Sequence, residues 1–398
     1  MADDADTETP TRREYVKYGA TVLSAGLLAG CTGDTEGSEA TPTPSATGTA
    51  DGSYSVAISP MGEVTFDSPP ETVFTRLTHH ADMAFALGRG DTVTAMHAPD
   101  YYNGLWNQFV ERLPGVSLDW SGLYSSWEPS KEKLYELDSD VHLADPAWIA
   151  KQDNWDRPDF EEIATNVSPW FGNSLSDRHA EPAPGWEDYE YYTLWEQFEL
   201  VAEAFQEQAR YEALAAVHDE LRSTIDARLP PESERPSAVM LAAADIDEMY
   251  AYTLDNPGFL TAHTRPLGAR DAFEGAVETN TVVDFETLLE ADPDVILHLG
   301  GFEPNTSLPE RREAFASDPV AAEITAVQND RIYPQGARYQ GPILHLFQLE
   351  MTAKQLYPEQ FGEWPTYTSG PYPEIPAEEQ LFDRQRVADV ITGSFDPV

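Results

Sequence analysis

The chain has 398 residues, of which 70 are acidic and 24 basic, giving a net charge of −46. Such an anionic surface repels phosphate groups, so we expect no binding to nucleic acid. Hydrophobic residues make up 41% of the chain and aromatic residues 11%, which excludes an acidic disordered chain and predicts a packed core. Carboxylate repulsion is screened at about 1 M salt, where the Debye length is about 3 Å, so the composition indicates a halophilic protein.

Residues 1–30 have the pattern of an export signal. The segment TRREYVK contains Arg12 and Arg13 at the spacing of a twin-arginine signal, and residues 18–33 carry no charge. That run is too short for a membrane span, which needs about 20 apolar residues. The segment Leu28-Ala29-Gly30-Cys31 resembles a lipobox, so we predict cleavage before Cys31 and lipid attachment to its thiol. A buried first segment with an unmodified thiol is the alternative.

A flexible tether and an α/β body follow. Residues 31–53 are rich in Thr, Ser, Gly, Pro and Ala, which predicts a flexible tether. From Ser53 onward, short β-branched runs alternate with helical patterns, which predicts an α/β fold. In the first half we predict a helix at His80–Gly88 and strands at Val73–Leu77, Thr92–Met96, Val141–Ala144 and Val167–Phe171.

A long helix is predicted next, followed by a second alternation. Residues 191–229 contain no Pro or Gly, and their apolar side chains recur at helical spacing until Pro230-Pro231. The second half then has predicted strands at Ala238–Ala243, Val295–Leu299 and Arg331–Tyr333, and a helix from Pro342 to about Tyr357. The tail from residue 366 to 398 contains one more helical pattern, LFDRQRVADVITGSF.

The two halves of the body resemble each other around one junction. Glu132 precedes Val141 by nine residues, and Glu286 precedes Val295 by the same number, with a leucine two residues after each glutamate. We therefore predict two equivalent lobes, with chance similarity of two junctions as the alternative. The predicted boundaries are 54–190 for the first lobe, 191–229 for the linking helix, 237–365 for the second lobe and 366–398 for the tail.

Several segments resemble a known class of proteins. They are Ala84-Phe-Ala-Leu-Gly-Arg-Gly-Asp-Thr-Val, Leu134-Tyr-Glu-Leu-Asp-Ser-Asp-Val-His-Leu-Ala, Leu288-Leu-Glu-Ala-Asp-Pro-Asp-Val-Ile-Leu, Ala326-Val-Gln-Asn-Asp-Arg-Ile-Tyr and Leu356-Tyr-Pro-Glu-Gln-Phe. In order and spacing they are similar to landmarks of the class III substrate-binding proteins of ABC importers, which carry ferric siderophores or cobalamin. The resemblance covers about residues 54–362. It implies two Rossmann-like lobes joined by one long rigid helix, with a largely pre-formed ligand cleft between them.

The resemblance also implies partners. In that class one surface glutamate on each lobe docks onto arginines of the permease, and the two repeats place these residues at Glu132 and Glu286. An ordinary solvated glutamate is the alternative in a chain with 70 carboxylates. The expected partners are therefore an ABC permease with its ATPase, a small-molecule metal chelate, and the membrane through the lipid anchor. We expect a monomer.

Candidate ligand residues follow the carboxyl ends of the predicted strands, where loops face the crevice of an open α/β sheet. Aromatic side chains there suit a bulky chelate or corrin, and an arginine suits an anionic group on it. Direct ligation of iron or zinc by a histidine is an alternative, since imidazole suits both metals. Two adjacent histidines on an extended chain point in opposite directions, so at most one of His79 and His80 faces a given site, and we expect no direct metal ligand. The candidates are His79, His80, Tyr101, Tyr102, Trp148, Tyr250, Tyr252, Arg338 and Tyr339.

The predicted function is capture of a ferric siderophore at the extracytoplasmic face of the membrane, without a resident cofactor. Cobalamin or haem is the alternative ligand within the same class. A surface-anchored hydrolase is a further alternative, although the chain has no Gly-x-Ser-x-Gly, P-loop or His-Glu-x-x-His motif. Paired carboxylates cannot indicate a hydrolase site in this chain, because its 70 acidic residues produce many such pairs by chance.

Overall fold

The computed structural model describes residues 47–48, 52–152, 155–245, 248–304 and 306–396. The predicted export signal and Cys31, with most of the tether, lie outside these residues. Within them, no helix has both the length and the apolar composition that crossing a bilayer requires.

The first lobe contains a small antiparallel sheet and a four-stranded parallel sheet. Its strands are β1 (Thr47–Gly48), β2 (Tyr54–Ile58), β3 (Gly62–Phe66), β4 (Val73–Thr75), β5 (Val93–Met96), β6 (Tyr124–Ser125) and β7 (Val141–Leu143). The first three strands form the antiparallel sheet, and the others form a parallel sheet in the order β6-β5-β4-β7. Its helices are α1 (Thr78–Ala86), α2 (Pro99–Val110), α3 (Lys131–Leu137), α4 (Pro146–Gln152) and α5 (Arg157–Asn166).

The strand predicted at Val167–Phe171 is wrong. Only one isolated bridge forms there, between His142 and Trp170. The His142 backbone N–H donates to the Pro169 carbonyl, and the Phe171 N–H donates to the His142 carbonyl. Because proline has no N–H group, it cannot donate the further hydrogen bond that a longer ladder needs.

Two helices connect the lobes, α6 (Leu194–Phe205) and α7 (Gln208–Arg228). A long linking helix is therefore present, but the unbroken helix predicted over 191–229 is wrong. The helix breaks at Gln206, whose φ of 53° lies in the left-handed region. The next residue, Glu207, is bound by Arg89 of the first lobe at 2.7 Å and by Arg210 at 3.0 Å. These ion pairs hold the corner in place.

The second lobe contains a separate mixed sheet. Its strands are β8 (Ser237–Asp245), β9 (Glu248–Tyr252), β10 (Arg270–Asp271), β11 (Thr281–Val283), β12 (Val295–Leu299) and β13 (Ile332–Pro334). They run in the order β11-β9-β8-β12-β13, with β10 also paired to β8. Its helices are α8 (Phe285–Ala291), α9 (Leu308–Ser317), α10 (Thr325–Gln328), α11 (Pro342–Leu356) and α12 (Pro358–Phe361). Because no pairing among the described strands joins the two large sheets, the predicted two-lobed α/β architecture is confirmed.

The internal repeat is visible in the backbone. Helices α3 and α8 each have seven residues, and each contains one buried residue, Leu134 or Leu288. Each helix ends at an aspartate in the left-handed region, Asp138 or Asp292. The aspartate two residues further on then binds a neighbouring strand in both lobes. Asp140 accepts a hydrogen bond from the Thr72 N–H, and Asp294 accepts one from the Ser237 N–H, each at 2.8 Å.

The predicted tail is packed against both lobes, and we call residues 366–396 the C-terminal strap. The Tyr372 N–H donates to the Gln108 carbonyl of α2 at 2.7 Å, and its hydroxyl donates to Glu350 of α11 at 2.7 Å. The predicted helix forms as α13 (Arg384–Thr392), whose Ile391 carbonyl accepts a hydrogen bond from Arg210 of α7. The strap therefore joins the first lobe, the second lobe and the linking helix.

Candidate ligand site at the seam between the lobes

Side chains from both lobes meet directly at a seam. Thr78 at the start of α1 donates a hydrogen bond to the Tyr339 carbonyl at 2.7 Å. The Tyr101 hydroxyl on α2 donates to the carboxylate of Glu303, which follows β12. These contacts bring the carboxyl ends of the central strands of both lobes together, where open α/β sheets bind ligands.

On the second lobe, three predicted residues form one group around a guanidinium. Arg338 lies in the loop after β13, as predicted, 4.8 Å from the Tyr339 ring centroid and 5.6 Å from that of Tyr252. Tyr339 is buried, and Arg338 keeps about 29% of its side chain exposed. A cation held against aromatic faces is a suitable contact for an anionic ligand group.

Sequence reasoning missed two polar residues of this group, Asp177 and His179. Asp177 is 2% exposed, its Oδ1 lies 3.0 Å from His179 Nδ1, and its Oδ2 lies 3.9 Å from Arg338 Nη2. Burial raises the pKa of Asp177 to about 7, against the opposing effect of Arg338. Both residues lie in an irregular segment after α5, where no periodic pattern marks a buried carboxylate.

Three polar atoms of this group are buried and have no hydrogen-bond partner among the described residues. They are Asp177 Oδ2, His179 Nε2 and Arg338 Nε. Buried polar atoms are normally paired, so atoms of this kind indicate where a bound molecule or water completes the site. Both a hydrogen-bond donor and an acceptor are available to such a molecule.

Asp177→Asn should change how stability depends on pH. A folded-state pKa of about 7, above the ordinary 3.8, means that folding favours the protonated carboxyl. The stability that the fold gains from a protonated Asp177 is fully present below about pH 4 and is lost as the pH rises through about 7. Because asparagine does not ionise, the variant should gain about 2–4 kcal/mol relative to the native chain between pH 4 and pH 8.

Denaturant titrations at several pH values in concentrated salt would measure this difference. The exposed Asp188→Asn variant, in the same irregular segment, serves as control. A pH-independent difference between native chain and Asp177→Asn would contradict the assignment of a buried, mostly protonated carboxyl.

The first lobe carries a second group of this type. The Arg76 guanidinium lies 4.4 Å from the Trp127 ring and 4.8 Å from that of Trp148, a predicted ligand residue on α4. His97 adds a ring 4.4 Å from Trp127 and 5.4 Å from Tyr102. Burial, assisted by Arg76, lowers the pKa of His97 to about 4, so this imidazole is neutral at pH 7. Each lobe thus presents an arginine among aromatic rings.

The geometry predicted for His79 and His80 is wrong. Both lie on α1 rather than on an extended loop, so their side chains do not point in opposite directions. Both are fully buried, with ring centroids 3.9 Å apart, and His79 stacks on Phe259 of the second lobe at 4.7 Å. Burial lowers the pKa of both imidazoles, that of His80 to about 3. They therefore pack the seam as neutral rings, and their contact with a ligand stays a prediction.

Other candidate residues lie on regular elements rather than in loops. Tyr101 and Tyr102 are in the first turns of α2, because that helix begins at Pro99, three residues after β5 ends. Tyr250 and Tyr252 lie on β9, where alternation places them on the same face. Tyr250 donates to Glu248 of its own strand, whereas Tyr252 faces Arg338. Of the two, Tyr252 belongs to the group described above.

Glu132 and Glu286 occupy the same place in the two repeats. Each is the second residue of its helix, α3 or α8, after an N-cap side chain from Ser130 or Asp284. Both glutamates are exposed. Their role in docking stays a prediction.

No group of three or more His, Cys, Asp or Glu side chains converges to hold a metal ion in the part of the chain that the structure describes.

The two-lobed fold and the polar seam are those of a solute-binding protein. Residues 79–339, more than half of the chain, match the sequence model of the periplasmic binding protein family. The chain therefore belongs to this family, whose members are extracytoplasmic solute-binding proteins. No curated protein has a sequence significantly similar to this chain.

Solved structures share the fold. CeuE of Helicobacter pylori, solved with Ni(II) bound, has a TM-score of 0.55 and 16% identity, covering 77% of this chain and 90% of its own. PiuA, an iron uptake ABC transporter substrate-binding protein of Streptococcus pneumoniae, has a TM-score of 0.50 and 17% identity, and the match covers 76% of this chain and 97% of PiuA. The triscatecholate siderophore binding protein FeuA of Bacillus subtilis, complexed with ferri-bacillibactin, has a TM-score of 0.50 and 14% identity. The match covers 75% of this chain and 96% of FeuA. Identities this low establish a common fold only.

Proposed function

We propose that this protein captures a ferric siderophore outside the cell and delivers it to the permease of an ABC importer. The observation that carries the proposal is the pair of cation–aromatic groups at the seam, Arg76 with Trp127 and Trp148, and Arg338 with Tyr252. In a chain of charge −46, the partly exposed Arg338 and the buried Arg76 provide a local positive charge that favours an anionic chelate. The fold it shares with CeuE, PiuA and FeuA is consistent with this ligand class.

The ligand is expected to bind as an intact complex. Aromatic rings offer large rigid contact areas at low entropic cost, and guanidinium groups pair with anionic oxygens. The iron would be part of the cargo, so no resident cofactor is proposed. Because Asp177, Tyr339 and Thr78 are buried where the lobes meet, we infer that a bulky chelate must separate some of these contacts to enter. The seam is thus less open than the largely pre-formed cleft that the family resemblance implies.

We also propose that the mature protein is a monomer anchored at Cys31. The support for the anchor is the order of twin arginines, uncharged run and lipobox in the sequence, together with the Ser- and Thr-rich tether. A lipid at Cys31 would keep the receptor next to its permease, and Cys31→Ser should release the protein from the membrane fraction.

Tryptophan quenching in concentrated salt tests the ligand. The chain has nine tryptophans, of which Trp127 and Trp148 lie against Arg76, so a chelate bound next to this group should quench fluorescence. Ferric catecholate and hydroxamate chelates, cobalamin and haem would be titrated separately. We expect saturable quenching by a ferric chelate. Quenching by cobalamin or haem alone would favour the alternative ligand, and turnover of a small substrate would contradict a binding protein.

Replacing Arg338 tests whether the chelate binds at the seam. Arg338→Gln should weaken the chelate about tenfold or more, since hydrogen bonds to charged groups contribute about 1.5–3 kcal/mol. Arg228→Gln, an exposed arginine at the end of α7, is the matched control and should leave the affinity unchanged. Equal effects of the two replacements would contradict the seam as the binding site.

A further inference from the structure

A second polar cluster lies among α6, α7, α11 and residues 259–265, and its residues have no part in the proposed ligand site. We call it the His–Arg cluster. Two members are on α7, one is on α6, one is on α11 and two follow Phe259. Its residues are Trp195, His218, Arg222, His263, Arg265 and His345.

The rings of this cluster are in contact. The His218 ring stacks on Trp195 with centroids 4.4 Å apart and lies 5.3 Å from the His345 ring. Gln340 connects His263 to His345. Its amide nitrogen lies 2.8 Å from His263 Nδ1, and its amide oxygen lies 3.3 Å from His345 Nδ1. His263 and His345 are 0% and 1% exposed.

Four nitrogen atoms of the cluster are buried and form no hydrogen bond with any described residue. They are Trp195 Nε1, Arg222 Nη1, His263 Nε2 and His345 Nε2. The first two are always donors. Because the Gln340 amide nitrogen, 2.8 Å from His263 Nδ1, can only donate, we assign the proton of the neutral His263 ring to Nε2. Three N–H donors thus lack an acceptor in one buried region.

The cluster also holds two permanently charged guanidinium groups, Arg222 and Arg265, beside three neutral histidines. Burial lowers the pKa of His345 well below its ordinary value, and His218, His263, Arg222 and Arg265 lower it further. The carboxylates nearest to the cluster lie towards solvent. Asp219 is 3.4 Å from His218 and 79% exposed, and Asp226 is 3.4 Å from Arg222 and 57% exposed; Asp255 acts on Arg265. Cationic groups without a buried counter-charge favour an anion among them.

We propose that the His–Arg cluster binds one small inorganic anion, with chloride as the expected occupant. The N–H groups of Trp195, Arg222 and His263 donate to it. A monatomic anion suits this arrangement because the three donors come from three separate elements, and such an ion requires no oriented oxygen atoms. The site stabilises the junction of α6, α7 and α11 independently of any ligand at the seam.

Bromide provides a direct test on the full chain. Crystals grown in bromide should show an anomalous peak at the bromine edge within hydrogen-bonding distance of Trp195 Nε1 and Arg222 Nη1. Absence of the peak, with a water molecule at that position, would overturn the proposal.

Thermal unfolding provides a second test in solution. The midpoint should be higher in sodium chloride or bromide than in sodium gluconate of equal ionic strength. Arg222→Gln should remove this difference, and Arg228→Gln, an exposed arginine on the same helix, should retain it. If Arg222→Gln fails to fold, Trp195→Phe, which removes only one donor, should reduce the difference. The same anion dependence in all variants would overturn the assignment of the site.

Discussion

Replacing Glu132 and Glu286 together with alanine should abolish uptake of the ligand while leaving its affinity for the purified protein unchanged. Both glutamates are exposed and occupy the second position of α3 and α8, the repeated helices of the two lobes. Exposed charges at the rim of an interface set the orientation and the rate of encounter of the two partners. Glu132 and Glu286 are also remote in sequence from the arginines at the seam. Each single replacement should reduce uptake partially, because one lobe would still dock.

The same two helices offer a matched control for this prediction. Glu136 and Glu290 lie four residues after the two glutamates, are also exposed, and correspond to each other in the repeat. The double replacement Glu136→Ala, Glu290→Ala removes the same charge from the same helices, so it should leave uptake close to that of the native chain. Uptake of labelled chelate by cells and tryptophan quenching of purified protein are the two measurements. Unchanged uptake in the first double variant, or equal loss in both, would contradict docking through Glu132 and Glu286.

Arg384→Met should destabilise the protein by about 3–5 kcal/mol, the loss expected when one partner of a buried ion pair is removed. Arg384 binds Glu350 at 2.6 Å, and these side chains are 7% and 0% exposed. The carboxylate also accepts hydrogen bonds from the Tyr372 hydroxyl at 2.7 Å and the Leu381 N–H at 2.6 Å. Without the guanidinium, Glu350 would remain buried without the cation that contacts it directly, and only the more distant Lys354 would oppose its charge.

An exposed pair on the same helix is the control. Arg386 binds Glu220 of α7 at 2.8 Å, with side chains 35% and 70% exposed, and Arg386→Met should cost less than about 1 kcal/mol. Concentrated salt should reduce the control effect further and leave the effect of Arg384→Met nearly unchanged, since buried pairs are poorly screened. Denaturant unfolding at low and high salt measures both. A loss for Arg384→Met no larger than for Arg386→Met would contradict a stabilising role for the strap.

The elements that were predicted correctly depend on local patterns. The strand Val295–Leu299 has the predicted bounds, and the helix predicted from Pro342 to about Tyr357 ends at Leu356. The repeat could also be recognised in the sequence, because the residues that define it occur within one short segment around each glutamate. They are an N-cap residue, a buried leucine and an aspartate with a left-handed backbone conformation. Information of this kind lies in neighbouring residues, so the chain order alone contains it.

The candidate site was only partly readable for the same reason. Arg338, Tyr339 and Tyr252 were found because they follow or belong to strands that meet at the seam. Asp177 and His179 were missed because they are in an irregular segment and acquire their importance from burial beneath Arg338 of the other lobe. A residue that functions through a long-range contact carries no local periodicity.

The amino-acid sequence by itself determined the α/β class, the two repeated lobes and the position of six of the thirteen described strands, because helix and strand periods and caps are short-range properties. Only the tertiary structure decided that the linking helix breaks at Gln206, where Glu207 meets Arg89 of the first lobe. It also decided that the tail becomes a strap, through the burial of Glu350 against Arg384. In both places the ion pair joins residues more than 30 positions apart in the chain, and no local pattern specifies such a contact.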